Sequence, residues 1–202
     1  FKLGNLKLGF AGESWLSVIE PVNSRYELGT QKYRIGEGQD TVFLDAVRAM
    51  DFDGLLLRIR RSGANSKSLV FALGGRSSGS NFGAQGSDLE RNSSSASLRP
   101  EDCKGTALAF SENVLTLSGE GNKKRIPIHA TSSVPLTFKA GDPAMIESGP
   151  EVLWASKSNA AAVWVLSAEW PQSGELFFIL TADAPDSPGV ADFLANSEKV
   201  FN

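Results

Sequence analysis

Apolar and polar residues alternate with a period close to two over much of the chain. This pattern marks half-buried strands rather than amphipathic helices. Short apolar stretches recur, several of them with this alternation, in "DTVFLDAVRAM" (40–50), "GLLLRIRRSG" (54–63), "SLVFALGG" (68–75), "NVLTLSGEG" (113–121), "KRIPIHA" (124–130), "VPLTFKAGD" (134–142), "AAAVWVLSAEW" (160–170) and "GELFFILTAD" (174–183). Between them lie glycine, proline, serine and asparagine, the residues of turns. "DFDG" (51–54) and "GEGN" (119–122) read as tight connections between antiparallel neighbours, with Gly54 or Gly121 free to take a positive φ. About ten such strands bury their apolar faces most economically as two stacked antiparallel sheets. The fold class expected is therefore all-β, an antiparallel β-sandwich.

Within it, "AVWVLSAEW" is apolar on both faces and is expected to be central, with Trp164 in the core. "IPI" (126–128) contains Pro127, which lacks an amide hydrogen, and is expected at an edge or beside a bulge. The pattern changes at the end. In "DSPGVADFLANSEKVFN" (186–202), Ser187 stands at an N-cap and Pro188 at the first helical position, with Val190, Phe193, Leu194 and Phe201 on roughly one face. The expected organisation is a sandwich domain over 1–185 and a C-terminal helix or linker over 186–202.

The 202 residues, 41% hydrophobic and 21% charged, suit one folded domain with a sizeable core. With 20 basic and 23 acidic residues the net charge is −3, which supplies no field for a polyphosphate backbone, so nucleic acid is not an expected partner. The basic runs "RIRR" (58–61) and "NKKR" (122–125) read as solvated strand ends or turns. One cysteine, Cys103, and one histidine, His129, leave no disulfide framework and no cysteine–histidine zinc cage. No apolar run reaches the roughly 18 residues of a membrane span. A start at Phe1 rather than methionine is compatible with a removed leader or upstream segment.

The Gly/Ser-rich stretch from Leu73 to Cys103 resembles a phosphate cradle at first sight. Its core, "GGRSSGSNFGAQGS" (74–87), has no lysine and opens onto no periodic helix, so it reads as a connection between strands. An ordered base is expected at 73–76 and 100–103, with a loose middle around 93–97. Nucleophilic catalysis would need a base, and His129 is the sole candidate; among alternating isoleucines it reads as a strand histidine with a hydrogen-bond partner. Aldose chemistry would pair His129 with a carboxylate, Glu147 or Glu169. Sugar binding without catalysis asks only for aromatic faces and planar polar groups, for which Trp154, Trp170 and Arg76 are the candidates. Neither a metal nor a cofactor is expected.

Three segments, "FALGG" (71–75), "LRPEDCKG" (98–105) and "LTADAPDSPGVADF" (180–193), carry a resemblance. The chain resembles an uncharacterised domain of bacterial, Bacteroidetes-type proteins, in which a β-sandwich precedes an α/α six-hairpin region like that of glycoside hydrolases. The resemblance implies a supersandwich of the galactose-mutarotase type, a periplasmic or extracellular location and service in polysaccharide breakdown. It implies two partners, an oligosaccharide or polysaccharide and an adjacent six-hairpin domain. It transfers no functional residue. The leading expectation is a non-catalytic module of a carbohydrate-processing protein, scaffolding or glycan-contacting. The alternatives are a mutarotase- or epimerase-like enzyme using His129 and a glutamate, and a protein-interaction or surface-assembly module.

Overall fold

The computed structural model describes residues 5–63, 67–74, 98, 100–103, 106–111, 114–119, 128–158, 163–184 and 186–201. Its strands are β1 (Asn5–Phe10), β2 (Val22–Glu27), β3 (Thr30–Ile35), β4 (Val42–Arg48), β5 (Gly54–Arg61), β6 (Leu69–Gly74), β7 (Thr106–Ser111), β8 (Val114–Gly119), β9 (Ile128–Ser132), β10 (Leu136–Gly141), β11 (Val163–Ala168) and β12 (Glu175–Thr181). Two helices accompany them, α1 (Pro150–Ala155) and α2 (Pro188–Phe201). Every strand pairing is antiparallel. One sheet runs β1-β6-β11-β10 and the other β2-β3-β4-β5-β12-β9-β8-β7. The protein is thus an antiparallel β-sandwich with a short C-terminal helix.

Alternation along the strands decides which side chains meet between the sheets. Phe10, Leu69, Phe71, Leu73, Trp164 and Leu166 of the smaller sheet face Leu57, Ile59, Ala130, Leu176 and Phe178 of the larger in one buried cluster. At its centre the rings of Phe71 and Phe178 stack at 4.4 Å. β11 lies inside its sheet, as its two apolar faces predict, and Trp164 is buried. The opposite parity, Val70, Ala72, Val163 and Val165, is buried as well, beneath Trp15, Leu98, Cys103, Ile146 and Leu153. The cover comes from α1, a 3-10 turn over Pro143–Ser148, and a second 3-10 turn over Pro100–Cys103. Trp15 Nε1 donates to the Ile146 carbonyl at 2.7 Å and pins that cover.

The outer face of the larger sheet is covered in part by α2. Val190, Phe193 and Phe201 sit on Leu56, Phe177 and Ile179, with Val47 and Phe52 alongside. Val190, Phe193 and Phe201 of the apolar stripe legible in the sequence are therefore covered within the chain; the Leu194 side chain lies outside those described. Ser187 makes the helix start through its carbonyl, which accepts from Val190 and Ala191; its Oγ is buried with no partner among the described residues. The helix kinks at Asn196, whose Nδ2 donates to the Asp192 carbonyl.

Three expectations change. Gly54 does close the β4–β5 connection, with the Ala49 amide donating to its carbonyl, but its φ is not positive. A Cβ there would lie 2.5 Å from the Phe52 ring, so the glycine serves close packing. β9 lies between β12 and β8 and is not an edge; it starts at Ile128, and the alternative expectation of a bulge at Pro127 falls outside the described residues. "RIRR" is not a solvated end, because the Arg61 side chain is 2% exposed and held by Glu13 and Asp40 at 3.0 Å, and Arg58 is nearly as enclosed. The stretches 120–127 and 75–97, with "NKKR", most of "GEGN" and the middle of the Gly/Ser-rich segment, lie outside the described residues. At the base of that segment, Gly74 ends β6, and Leu98 and Cys103 are buried.

Candidate functional site

Strand register brings His129 into a transverse row on the outer face of the larger sheet. It stands opposite Thr116 of β8 on one side and Thr181 of β12 on the other, and Thr116 in turn stands opposite Ala109 of β7. Its neighbours Ile128 and Ala130 take the opposite parity and enter the core. The chain leaves β12 at Thr181, on the same face, and reaches α2 through Asp186 and Ser187. Ala109, Phe110, Ser111, Val114, Thr116, His129 and Asp186 together line an open groove of about 480 Å³ beside the start of that helix.

Thr116 Oγ1 lies 3.2 Å from His129 Nδ1, which holds the ring in place and leaves Nε2 as the nitrogen not engaged by threonine. Burial pushes the His129 pKa below its ordinary value of 6.5, so the imidazole is mainly neutral at neutral pH. A neutral imidazole offers one donor and one acceptor. With the hydroxyls of Ser111 and Thr116 and the carboxylate of Asp186, the groove presents polar groups suited to hydroxyl-bearing ligands. Phe110 turns its ring between the sheets, where it stacks on Phe138, so the apolar margin of the outer groove comes from Ala109 and Val114.

The other candidate residues are dispersed. Glu147 is exposed and accepts from Lys7 Nζ at 2.6 Å, and Glu169 is exposed past the end of β11; neither lines the His129 groove. Trp154 stands on α1, half-buried with Lys139 Nζ 4.8 Å from its ring centre. Burial, with a smaller effect from Lys157, pulls the Lys139 pKa below its usual value. Trp170 is half-buried, edge-on to Phe10 at 5.5 Å. Arg76 lies outside the described residues.

Two residues, one in the groove and one that holds α2, escape a reading of the sequence alone. Asp186 joins the groove only because α2 docks on this face, a long-range contact with no local signal. Asp45, whose side chain is 3% exposed, accepts from Arg58 Nε at 3.0 Å and Arg60 Nη2 at 2.9 Å. The Arg58 guanidinium also lies 4.7 Å from the Phe201 ring centre, so this ion pair anchors the last turn of α2. The alternation of "FLDAV" (43–47) carried a usable hint, since it puts Asp45 on the same face as Arg58 across a hairpin.

Among the described residues no three His, Cys, Asp or Glu side chains converge as a metal cage, and no helix is long and apolar enough to cross a membrane. A search of curated proteins finds no match. Residues 3–201 match a family model described as "Domain of unknown function (DUF4450)". Since that match spans nearly the whole sandwich and its C-terminal helix, the chain belongs to the DUF4450 family.

Proposed function

We propose that this chain is a non-catalytic β-sandwich module of a carbohydrate-processing protein and that it contacts glycan through the His129 groove. The observation that carries the reading is the groove's lining: hydroxyls, one neutral imidazole and one carboxylate around a partly apolar floor, on a rigid sheet face. Sugars are recognised by this combination, because hydroxyl groups need donors and acceptors together while their C–H faces need apolar contact. In this reading the chain works beside an α/α six-hairpin region of a longer bacterial protein, outside the cytoplasm.

A glycan array probed with the chain tests the proposal. Binding to a defined set of oligosaccharides, lost in His129→Ala and Asp186→Ala, is the expected result. No binding to any glycan removes the contact role and leaves a scaffold.

One observation favours a second reading. His129 shares its groove with a carboxylate, Asp186, so a mutarotase- or epimerase-like reaction would draw on that pair rather than on Glu147 or Glu169. Polarimetry of freshly dissolved aldoses separates the two readings: the binding module leaves the rate of mutarotation unchanged, whereas an enzyme accelerates it and loses the acceleration in His129→Ala.

A further inference from the structure

β2 ends the larger sheet, and Val22 to Tyr26 are all exposed along it. Its backbone polarity follows from the hairpin that joins it to β3. Leu28 and Gly29 form a two-residue turn with φ of 44° and 90°, so Glu27 and Thr30 are a closely bonded pair. Pairing then alternates, and at the far end the Gly36 amide donates to the Pro21 carbonyl at 2.9 Å. Odd-numbered residues of β2 thus bond β3. The N–H and C=O groups of Val22, Ser24 and Tyr26 point away from the sheet.

Such an edge is ordinarily blunted by a charge, a proline or a bulge. Here the side carrying Val22, Ser24 and Tyr26 has none within the strand, and Val22 and Tyr26 are 49% and 69% exposed. Arg25 projects to the opposite face, where Glu27 pairs with it. A hydrogen bond from Lys32, reinforced by Arg25, holds the Glu27 carboxyl below the usual range.

We propose that β2 is a self-association edge, at which two copies of this chain pair their β2 strands antiparallel about a twofold axis through Ser24. The strand is self-complementary in that register. Val22 faces Tyr26 of the second copy twice, Ser24 faces Ser24, and each of these pairs exchanges two N–H···O bonds. Asn23 faces Arg25 on the other side. A slip of two residues in one sense would set Arg25 against Arg25, a like-charge pair; in the other it would set Asn23 against Asn23 and move Tyr26 opposite Glu20, losing both Val22–Tyr26 contacts. The two larger sheets then continue as one across the axis.

Sedimentation velocity over a concentration series reads the association, and the wild-type chain is expected to pass from monomer to dimer. Ser24→Pro removes an outward donor that β3 does not use, so it abolishes the dimer with far-UV circular dichroism unchanged. Tyr26→Lys, at an exposed position, gives the same loss and stands in if the proline variant fails to fold. Ser24→Cys cross-links under oxidation, because a closely bonded pair sets the two Cα atoms about 5.5 Å apart, within disulfide reach. Asn23→Cys does not. A chain that stays monomeric throughout, or a dimer that survives both Ser24→Pro and Tyr26→Lys, overturns the proposal, and cross-linking of Asn23→Cys in place of Ser24→Cys overturns the register.

Discussion

Phe178→Ala removes the ring that the larger sheet presents to Phe71 at the centre of the sandwich. Both rings are fully buried, and they stack at 4.4 Å with 19° between their planes. A buried Phe→Ala change costs about 3–5 kcal/mol, combining lost transfer energy with the cavity left between two sheets that cannot collapse. For a chain of this size about 2–4 °C of melting temperature accompanies each kcal/mol, so the midpoint should fall by roughly 6–20 °C. Phe71→Ala should cost a similar amount. Because the rings touch each other, the double variant should cost less than the sum, by about 0.5–1.5 kcal/mol, the share that belongs to the stacked pair itself. Urea denaturation followed by tryptophan fluorescence measures all four corners of the cycle, with Trp164 reporting from the same cluster. A Phe178→Ala loss no larger than that of a surface substitution, about 0.5 kcal/mol, would refute the packing of the two sheets through this pair.

Other consequences are more local. Val190→Ala deletes two methyl groups that are fully buried under α2 and should cost about 2 kcal/mol in denaturant stability, with earlier amide exchange of the helix than of the strands. Gly54→Ala sets a Cβ 2.5 Å from the Phe52 ring and 3.0 Å from the Leu180 carbonyl, so it should lower stability by about 1–3 kcal/mol even though its φ tolerates alanine; an unchanged melting midpoint would show that Phe52 moves freely. His129 is pushed below 6.5 by burial, so the unfolded chain binds more protons at and just below that pH. Its contribution to stability is therefore complete above pH 6.5 and is lost as the pH falls through the depressed folded value. His129→Gln should flatten the stability slope between about pH 7 and pH 5, and an unaltered slope would contradict the assigned burial.

Period-two alternation is enough to read strands such as β4 and β10, whereas β12 is legible from its apolar run, because the core buries Leu176 and Phe178 on one face and α2 buries Phe177 and Ile179 on the other. β11, buried on both faces, declared itself by its apolar run. β2 and β3 did not, because "VNSRYE" and "TQKYRI" carry little apolar contrast: they lie at and beside a sheet edge, where β2 has no cover. α1 and the 3-10 turn before it were passed over although Asp142–Pro143 and Gly149–Pro150 are local start signals, with Asp142 Oδ1 accepting from the Ala144 amide. The order of the larger sheet was beyond reach, since it inserts β12 between β5 and β9 through contacts with no sequence-local cause. The groove inherits that limit. His129 stood out as the single histidine, but Thr116 and Asp186 become its companions only through strand register and the docking of α2.

The proposed glycan contact lies in the outer-face groove beside His129. Titrating an isotope-labelled chain with the oligosaccharides that an array selects, and following backbone amide and His129 ring resonances, tests this directly. Saturable shifts at Ser111, Thr116, His129 and Asp186, with the sugar recovered unchanged, are the predicted result. Shifts confined to Trp154 or Trp170, or none at saturating sugar, would contradict it.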